Sequence, residues 1–147
     1  IVIRKFMKIF GILLLSLLTL SAAAQQQGQS EQDKIKEEKQ LREYIDKNVE
    51  QTGINLGLED WQLFYVDSIL THDVTAMTAE IKQLQASKVS NSAVYEQVQD
   101  KWLEAIYQAM GKVLNEDQWN KYLKQGAARE KKARDKRKAK LEAKGEK

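Results

Sequence analysis

Two short stretches organise this chain: Leu114-Asn115-Glu116-Asp117-Gln118, which runs on as Trp119-Asn120-Lys121-Tyr122-Leu123, and the earlier Leu58-Glu59-Asp60-Trp61-Gln62. Each opens on Leu, continues with a residue in the position of a helix cap, and ends on Gln three places after that residue. In such a capping box the Gln side chain reaches back to the backbone N–H of the cap, so the spacing predicts two helix N-termini. Asn115 is a good cap and Glu59 a poorer one. Glu116 and Asp117 also suit the positive end of a helix dipole.

The surrounding sequence is helical in character. There is no Pro and there are only seven Gly in 147 residues, and Ala, Leu, Glu, Lys and Gln supply high helix propensity. Ile35, Leu41, Ile45 and Val49 give a first helix from Glu31 to about Gln51 with a narrow apolar stripe. Thr52-Gly53 and Gly57 bracket Ile54, Asn55 and Leu56 as a connecting loop with two apolar anchors. A second helix is predicted from about Glu59 to Ala86, where Leu63, Leu70, Met77 and Leu84 recur every seven residues with Val74 and Ile81 between them. Ser87 to Ser92 forms a polar turn, with Ser90, Asn91 and Ser92 as alternative caps. A third helix then runs to about Val113 on Val98, Trp102, Ile106, Ala109 or Met110, and Val113, widened by Leu103 and Tyr107. The fourth begins at the second motif, anchored by Trp119, Tyr122 and Leu123. The fold class read from these periods is all-α: about four helices around an antiparallel helical hairpin core.

The first turns of the second helix carry more apolar residues than one seam absorbs: Trp61, Phe64, Tyr65, Val66 and Ile69. That end is either deeply buried or offers a binding surface. Aromatic clusters pack internally more often than not, which favours core or dimer contact.

The beginning of the chain has a different composition. Arg4, Lys5 and Lys8 precede an apolar run from Ile9 to Leu20, followed by Ser21-Ala22-Ala23-Ala24-Gln25. Positive residues, a short apolar stretch and small residues at the cleavage point are the layout of a secretory signal peptide over residues 1–24, cleaved after Ala24. The run is about a dozen residues against the roughly 20 needed to span a bilayer, which disfavours a membrane anchor. With Ile1 in first place, Met7-Lys8 would itself start a compact signal. Gln25 to Ser30 reads as a flexible leader, residues 31–126 as the helical domain and 127–147 as a basic charged tail.

Charge and composition narrow the function classes. The three cations of the signal account for the net +3, leaving 21 basic groups against 21 acidic ones. Residues 25–126 hold 11 basic and 17 acidic groups, and residues 127–147 hold 10 and 4. The basic pI therefore does not imply nucleic-acid affinity. Leu141 is the only large apolar residue of the tail, so a solvated helix extension or a disordered tail is expected, able to meet an anionic surface.

The absence of Cys removes disulfides, thiolate nucleophiles and Cys-based metal sites together. His72 is the only His, and in the frame set by Leu70 and Val74 it faces away from the seam, so it is expected to be exposed and idle. A metal centre needs several converging ligands, and a general base needs a nucleophile to serve. Neither set is present, and no Gly-rich phosphate loop or distinctive carboxylate pair stands out. A non-enzymatic protein without metal or cofactor is expected.

The two motifs, each opening a helix in a small helical chain behind an export signal, resemble the LTxxQ-motif family of periplasmic proteins typified by Spy and CpxP. The likeness spans roughly residues 54 to 125. Leu114 and Gln118 occupy the fixed ends of the motif and Asn115 stands at its Thr. Leu58 and Gln62 keep those ends, with Glu59 at the Thr position. The resemblance implies periplasmic location and a curved, often dimeric cradle that holds partly unfolded envelope proteins without ATP, or that docks on an envelope-stress sensor. It makes Leu58, Gln62, Leu114, Asn115 and Gln118 fold-defining and capping residues. Zinc-binding members use His-rich or Cys-containing segments, which are missing here. The residues available for promiscuous contact with clients are Trp61, Phe64, Tyr65, Ile69, Trp102 and Tyr107. The alternative reading is an anchoring protein whose tail, residues 127–147, attaches it to anionic lipid or cell-wall polymer. Nucleic acid is not expected as a partner.

Overall fold

The computed structural model describes residues 31–145. The signal segment 1–24 with its cleavage point after Ala24, and the leader 25–30, lie outside the described residues. Packing divides the chain at Glu38 and Lys39. Of the first unit the described residues are 31–38, the opening of the first helix, where Ile35 is exposed.

Among the described residues the fold is all-α, without strands. Four helical runs follow one another: α1 (Glu31–Leu56), α2 (Asp60–Ala86), α3 (Ser92–Val113), and a last run built from α4 (Glu116–Tyr122), a π turn (Leu123–Ala127) and α5 (Ala128–Gly145). No described helix is long and apolar enough to cross a membrane.

Helix α1 continues through the segment expected to be a loop. Gly53 lies within the helix and lets Leu63 come close: a Cβ at this position would stand 2.6 Å from Leu63 Cδ2. The helix stops at Gly57, which adopts φ +65° with open space around its Cα. The N–H groups of Gly57 and Leu58 both donate to the Gly53 carbonyl, at 2.9 and 3.0 Å. A glycine with positive φ just beyond the last turn is a common way to end a helix. One glycine therefore serves packing and the other terminates the helix. Of the two expected anchors Leu56 is buried, whereas Ile54 is exposed.

Helices α2 and α3 share the central core. Val66, Val74, Met77 and Ile81 from α2 are buried with Val98, Ile106 and Met110 from α3 and Leu114 just after it. The heptad leucines Leu63, Leu70 and Leu84 are only half-buried. Gln62 at the start of α2 bonds to the Val113 carbonyl at the end of α3. Glu80, near the far end of α2, accepts from Trp102 Nε1 at 2.8 Å. These pairings give the two helices opposite directions along their common face. In the turn between them Asn91 is the cap used, its side chain accepting from the Ala93 N–H at 3.0 Å. Lys88 takes φ 55°.

Of the two forms expected for the tail, the helical extension is the one seen, largely exposed, but it is also held to the body. Gly126, at φ 124°, bends the last run, and α5 packs against α3. Two Arg side chains and Lys131, which lies 3.5 Å from Glu104, make the connection. Arg134, only 7% exposed, directs Nε and Nη2 at Glu104 Oε2, each at 3.2 Å. Arg137 grips Asp100 with two bonds of 2.6 Å. Side-on pairing of a guanidinium with a carboxylate is directional and relatively strong. Tertiary contact here is carried by ion pairs and by the Arg stems, in place of an apolar stripe.

Candidate functional site

The two motifs meet. Gln62 is 2% exposed and Gln118 6% exposed, and their amides exchange two hydrogen bonds: Gln62 Nε2 donates to Gln118 Oε1 at 2.7 Å, and Gln118 Nε2 donates to Gln62 Oε1 at 2.9 Å. The second hydrogen of each amide goes to the residue just before the other motif: Gln62 to the Val113 carbonyl at 3.0 Å, Gln118 to the Gly57 carbonyl at 3.2 Å. Each oxygen also accepts from the N–H of its own cap, Glu59 or Asn115, at 3.0 Å. Every donor and acceptor site of both side-chain amides is used, which is what burial of a primary amide requires. The arrangement is a two-fold clasp in which each helix start is completed by the other motif. The reach-back of each Gln was legible in the sequence; the clasp was not, because its partners are 56 residues apart.

One step around α2 from the clasp, the chain turns outward. Trp61, Phe64 and Tyr65 are exposed by 52%, 68% and 52%. The rings meet edge to face, Trp61 on Tyr65 at 6.1 Å and Phe64 on Tyr65 at 5.8 Å between centroids. Trp61 Nε1 donates to Glu59 Oε2 at 2.8 Å, so the carboxylate of this cap is engaged by the indole. Of the core or dimer contact favoured for these three aromatics, core packing is overturned: they form a ridge in solvent. Val66 goes inward in their place, and Ile69 is half-buried.

The repeat supplies its own comparison. The clasp superposes position 62 on 118, so Trp61, Phe64 and Tyr65 correspond to Asp117, Asn120 and Lys121. All six are exposed. The same local fold thus accepts ordinary polar residues at these positions, and helix formation does not require the aromatics. Leu63 and Trp119, the next pair, both pack on a glycine of the preceding helix: Gly53 for Leu63, and Gly111 for Trp119, whose ring lies 3.5 Å from where a Cβ would be.

The six aromatic and apolar candidates do not make one surface. Trp102, half-buried, sits at the side of the same α2 face: its ring lies 6.2 Å from His72, with Lys101 Nζ 4.7 Å above it. Tyr107 belongs elsewhere, half-buried against Trp119 at 5.0 Å and Tyr122 at 6.4 Å, with the Arg134 guanidinium 5.6 Å over its ring. Burial pushes the Tyr122 phenol up to about 12, opposed by the nearby Arg134 charge and assisted by Tyr107. His72 is exposed as expected, and its Nδ1 is hydrogen-bonded to the buried Asp73 at 2.7 Å.

Charge on this body is mostly paired. The Glu80 carboxyl is held below its ordinary value by hydrogen bonds from Lys101 and Trp102. At Glu104 desolvation raises the pKa, but bonds from Gln108 and Arg134 and the charge of Lys131 outweigh it and the net shift is downward. Arg42, on α1, holds Asp67 at 2.8 Å and Thr71 at 2.9 Å, and the Asp67 bond raises its pKa. Among the described residues no group of three or more His, Asp or Glu is placed to hold a metal ion. Comparison of the chain with models of protein families, with curated proteins and with solved structures finds no match.

Proposed function

We propose that the protein is a non-enzymatic, exported helical binder that holds partly unfolded envelope proteins without nucleotide, using the ridge of Trp61, Phe64 and Tyr65 as its contact surface. The observation that carries the reading is the contrast between this ridge and its polar counterpart at Asp117, Asn120 and Lys121. Three large rings held in water gain nothing for the fold, whereas an apolar segment of another protein would cover them. Tyr and Trp present wide contact area at low conformational cost, which suits a surface that meets many sequences. The LTxxQ-like placement of both glutamines supports the same activity by resemblance, with docking on an envelope sensor as the variant in which one folded partner takes the place of many clients.

The test is light scattering of a chemically denatured client diluted into buffer with and without the purified protein, no nucleotide added. Suppression at stoichiometric amounts that weakens in Phe64→Ser and Tyr65→Ser, with the fold retained, is the expected result. Undiminished aggregation would remove the capture reading.

The anchoring reading has one observation in its favour: Lys132, Lys136 and Lys140 are exposed at four-residue spacing along α5. Arg134 and Arg137 are turned to the body instead, so attachment would rest on this lysine row with the exposed Arg129 and Lys138. Salt-insensitive partition between envelope and soluble fractions would count against it.

A further inference from the structure

The exposed face of α2 extends beyond the three aromatics. Trp61, Tyr65, Ser68, His72, Thr75 and Ala79 are exposed one after another at three- and four-residue steps, with Phe64 beside them. At a rise of 1.5 Å per residue this stripe is about 27 Å long. It contains no Lys, Arg or Glu, in a chain of which 31% is charged.

The helix that carries it has acidic groups but no basic ones along this stretch: no Lys or Arg occurs between Leu58 and Ile81. Asp67 and Glu80 on the flanks are neutralised by Arg42 and Lys101. At the aromatic end, however, the clasp brings both helix starts to one pole of the body, so that Glu59 and Asp60 are joined there by Glu116 and Asp117, all exposed. Two helix N-termini offset about half a charge each, and Lys112 and Lys121 are the exposed cations on the neighbouring turns. Among the described residues neither Glu59, at the cap of α2, nor Asp60, in its first turn, makes an ion pair; Glu59 is met by Trp61 Nε1.

We propose that the segments captured on this face are cationic: apolar stretches flanked by Lys or Arg, whose side chains reach the carboxylates at the pole while the apolar part covers the ridge. The inference rests on the capture reading above and names the class of segment. Apolar rings supply contact, and complementary charge at the rim selects between segments of equal hydrophobicity and speeds their encounter.

The experiment uses the purified protein and three dye-labelled peptides followed by fluorescence anisotropy: a Leu/Phe/Ala core flanked by lysines, the same core flanked by glutamates, and a Ser-rich core flanked by lysines. The Lys-flanked apolar peptide is expected to bind about tenfold more tightly than the Glu-flanked one at low salt, with the difference largely lost at about 0.5 M salt. The variant Asp60→Asn/Glu116→Gln/Asp117→Asn should bind both apolar peptides alike, and Phe64→Ser/Tyr65→Ser should weaken both about tenfold or more. Equal binding of the two apolar peptides to the unaltered protein overturns the charge selection and leaves capture standing. Binding of neither removes capture itself. Equally tight binding of the Ser-rich peptide places the interaction on charge alone and overturns the proposal. So does a dimer in sedimentation that Phe64→Ser/Tyr65→Ser dissolves, since a second copy would then occupy the face.

Discussion

Gln62 and Gln118 complete each other's helix starts: each side-chain amide oxygen accepts from its own cap and from the other Gln, and each amide nitrogen donates to the other Gln and to the backbone just before the other motif. Residues far apart in sequence thereby form one buried polar unit.

Removal of either glutamine strands several groups at once, including the partner's amide and a backbone N–H. Gln62→Ala and Gln118→Ala should each cost about 3 kcal/mol in urea denaturation, given the penalty for leaving buried polar groups unpaired. The double variant should cost about 1–2 kcal/mol less than the sum, because the second removal no longer breaks the exchanged pair. Strict additivity would show that the two amides stabilise the fold independently.

The ridge should be separable from stability. Replacing Trp61, Phe64 and Tyr65 by the residues of the second copy, Asp, Asn and Lys, should leave the helical circular dichroism intact and shift stability by no more than about 1 kcal/mol, as expected of exposed positions. Client capture should disappear in the same variant. Loss of the fold would mean that the rings serve packing after all.

Gly53 and Gly57 should respond differently to Ala. At Gly53 the added methyl meets Leu63, so a cost of about 1–3 kcal/mol from overpacking is expected, part of it recovered when Leu63 is shortened to Ala. At Gly57 there is room, and the cost of about 1 kcal/mol comes from the positive φ, indifferent to Leu63. Thermal denaturation of the two singles and both doubles with Leu63→Ala separates the causes.

Acid should loosen α5 before the rest of the body. Glu104 has a folded pKa below its ordinary 4.5, so its stabilising contribution is fully present above the unfolded value and is lost as pH falls through the folded one. Hydrogen exchange along α5 should accelerate below about pH 4.5, as protonation weakens the Arg134 pairing. Glu104→Gln should show fast exchange already at neutral pH and a flatter profile. An acid profile identical to that of the unaltered protein would assign the loosening to other carboxylates.

At the alkaline end the sign reverses. The Tyr122 phenol is pushed up to about 12 by burial, so the unfolded chain releases its proton first, near the ordinary 10. Stability should fall as pH rises above 10 toward 12, and Tyr122→Phe should remove that part of the slope. Denaturant midpoints between pH 9 and 11 measure it.

Local signals carried the sequence reading furthest. Both helix starts were legible because a capping box is complete within four residues, and the all-helical fold followed from composition and period. Readings failed where the deciding contact is distant. Gly53 looked like a loop residue because Leu63, which needs the missing side chain, comes ten positions later. Arg134 looked solvated because Glu104, its partner, is 30 residues away. The ridge failed for a different reason. A period identifies which residues share a face, not which face turns inward, and here the polar Gln62 is buried while Phe64 is exposed, against the order that hydrophobicity alone suggests. Gln62 in the clasp lies on the same side of α2 as buried Val66, Val74, Met77 and Ile81, and that rotation leaves Trp61, Phe64 and Tyr65 in water.

The shared clasp also bears on how the chain acquires its shape. During synthesis α2 emerges with Gln62 while Val113 and Gln118 are still unmade, so its opening turn lacks three of the four Gln62 amide bonds until the end of α3 and the second motif arrive. The start of α2 should fray at Glu59 and close only when α4 docks, making this junction a late and cooperative step in folding.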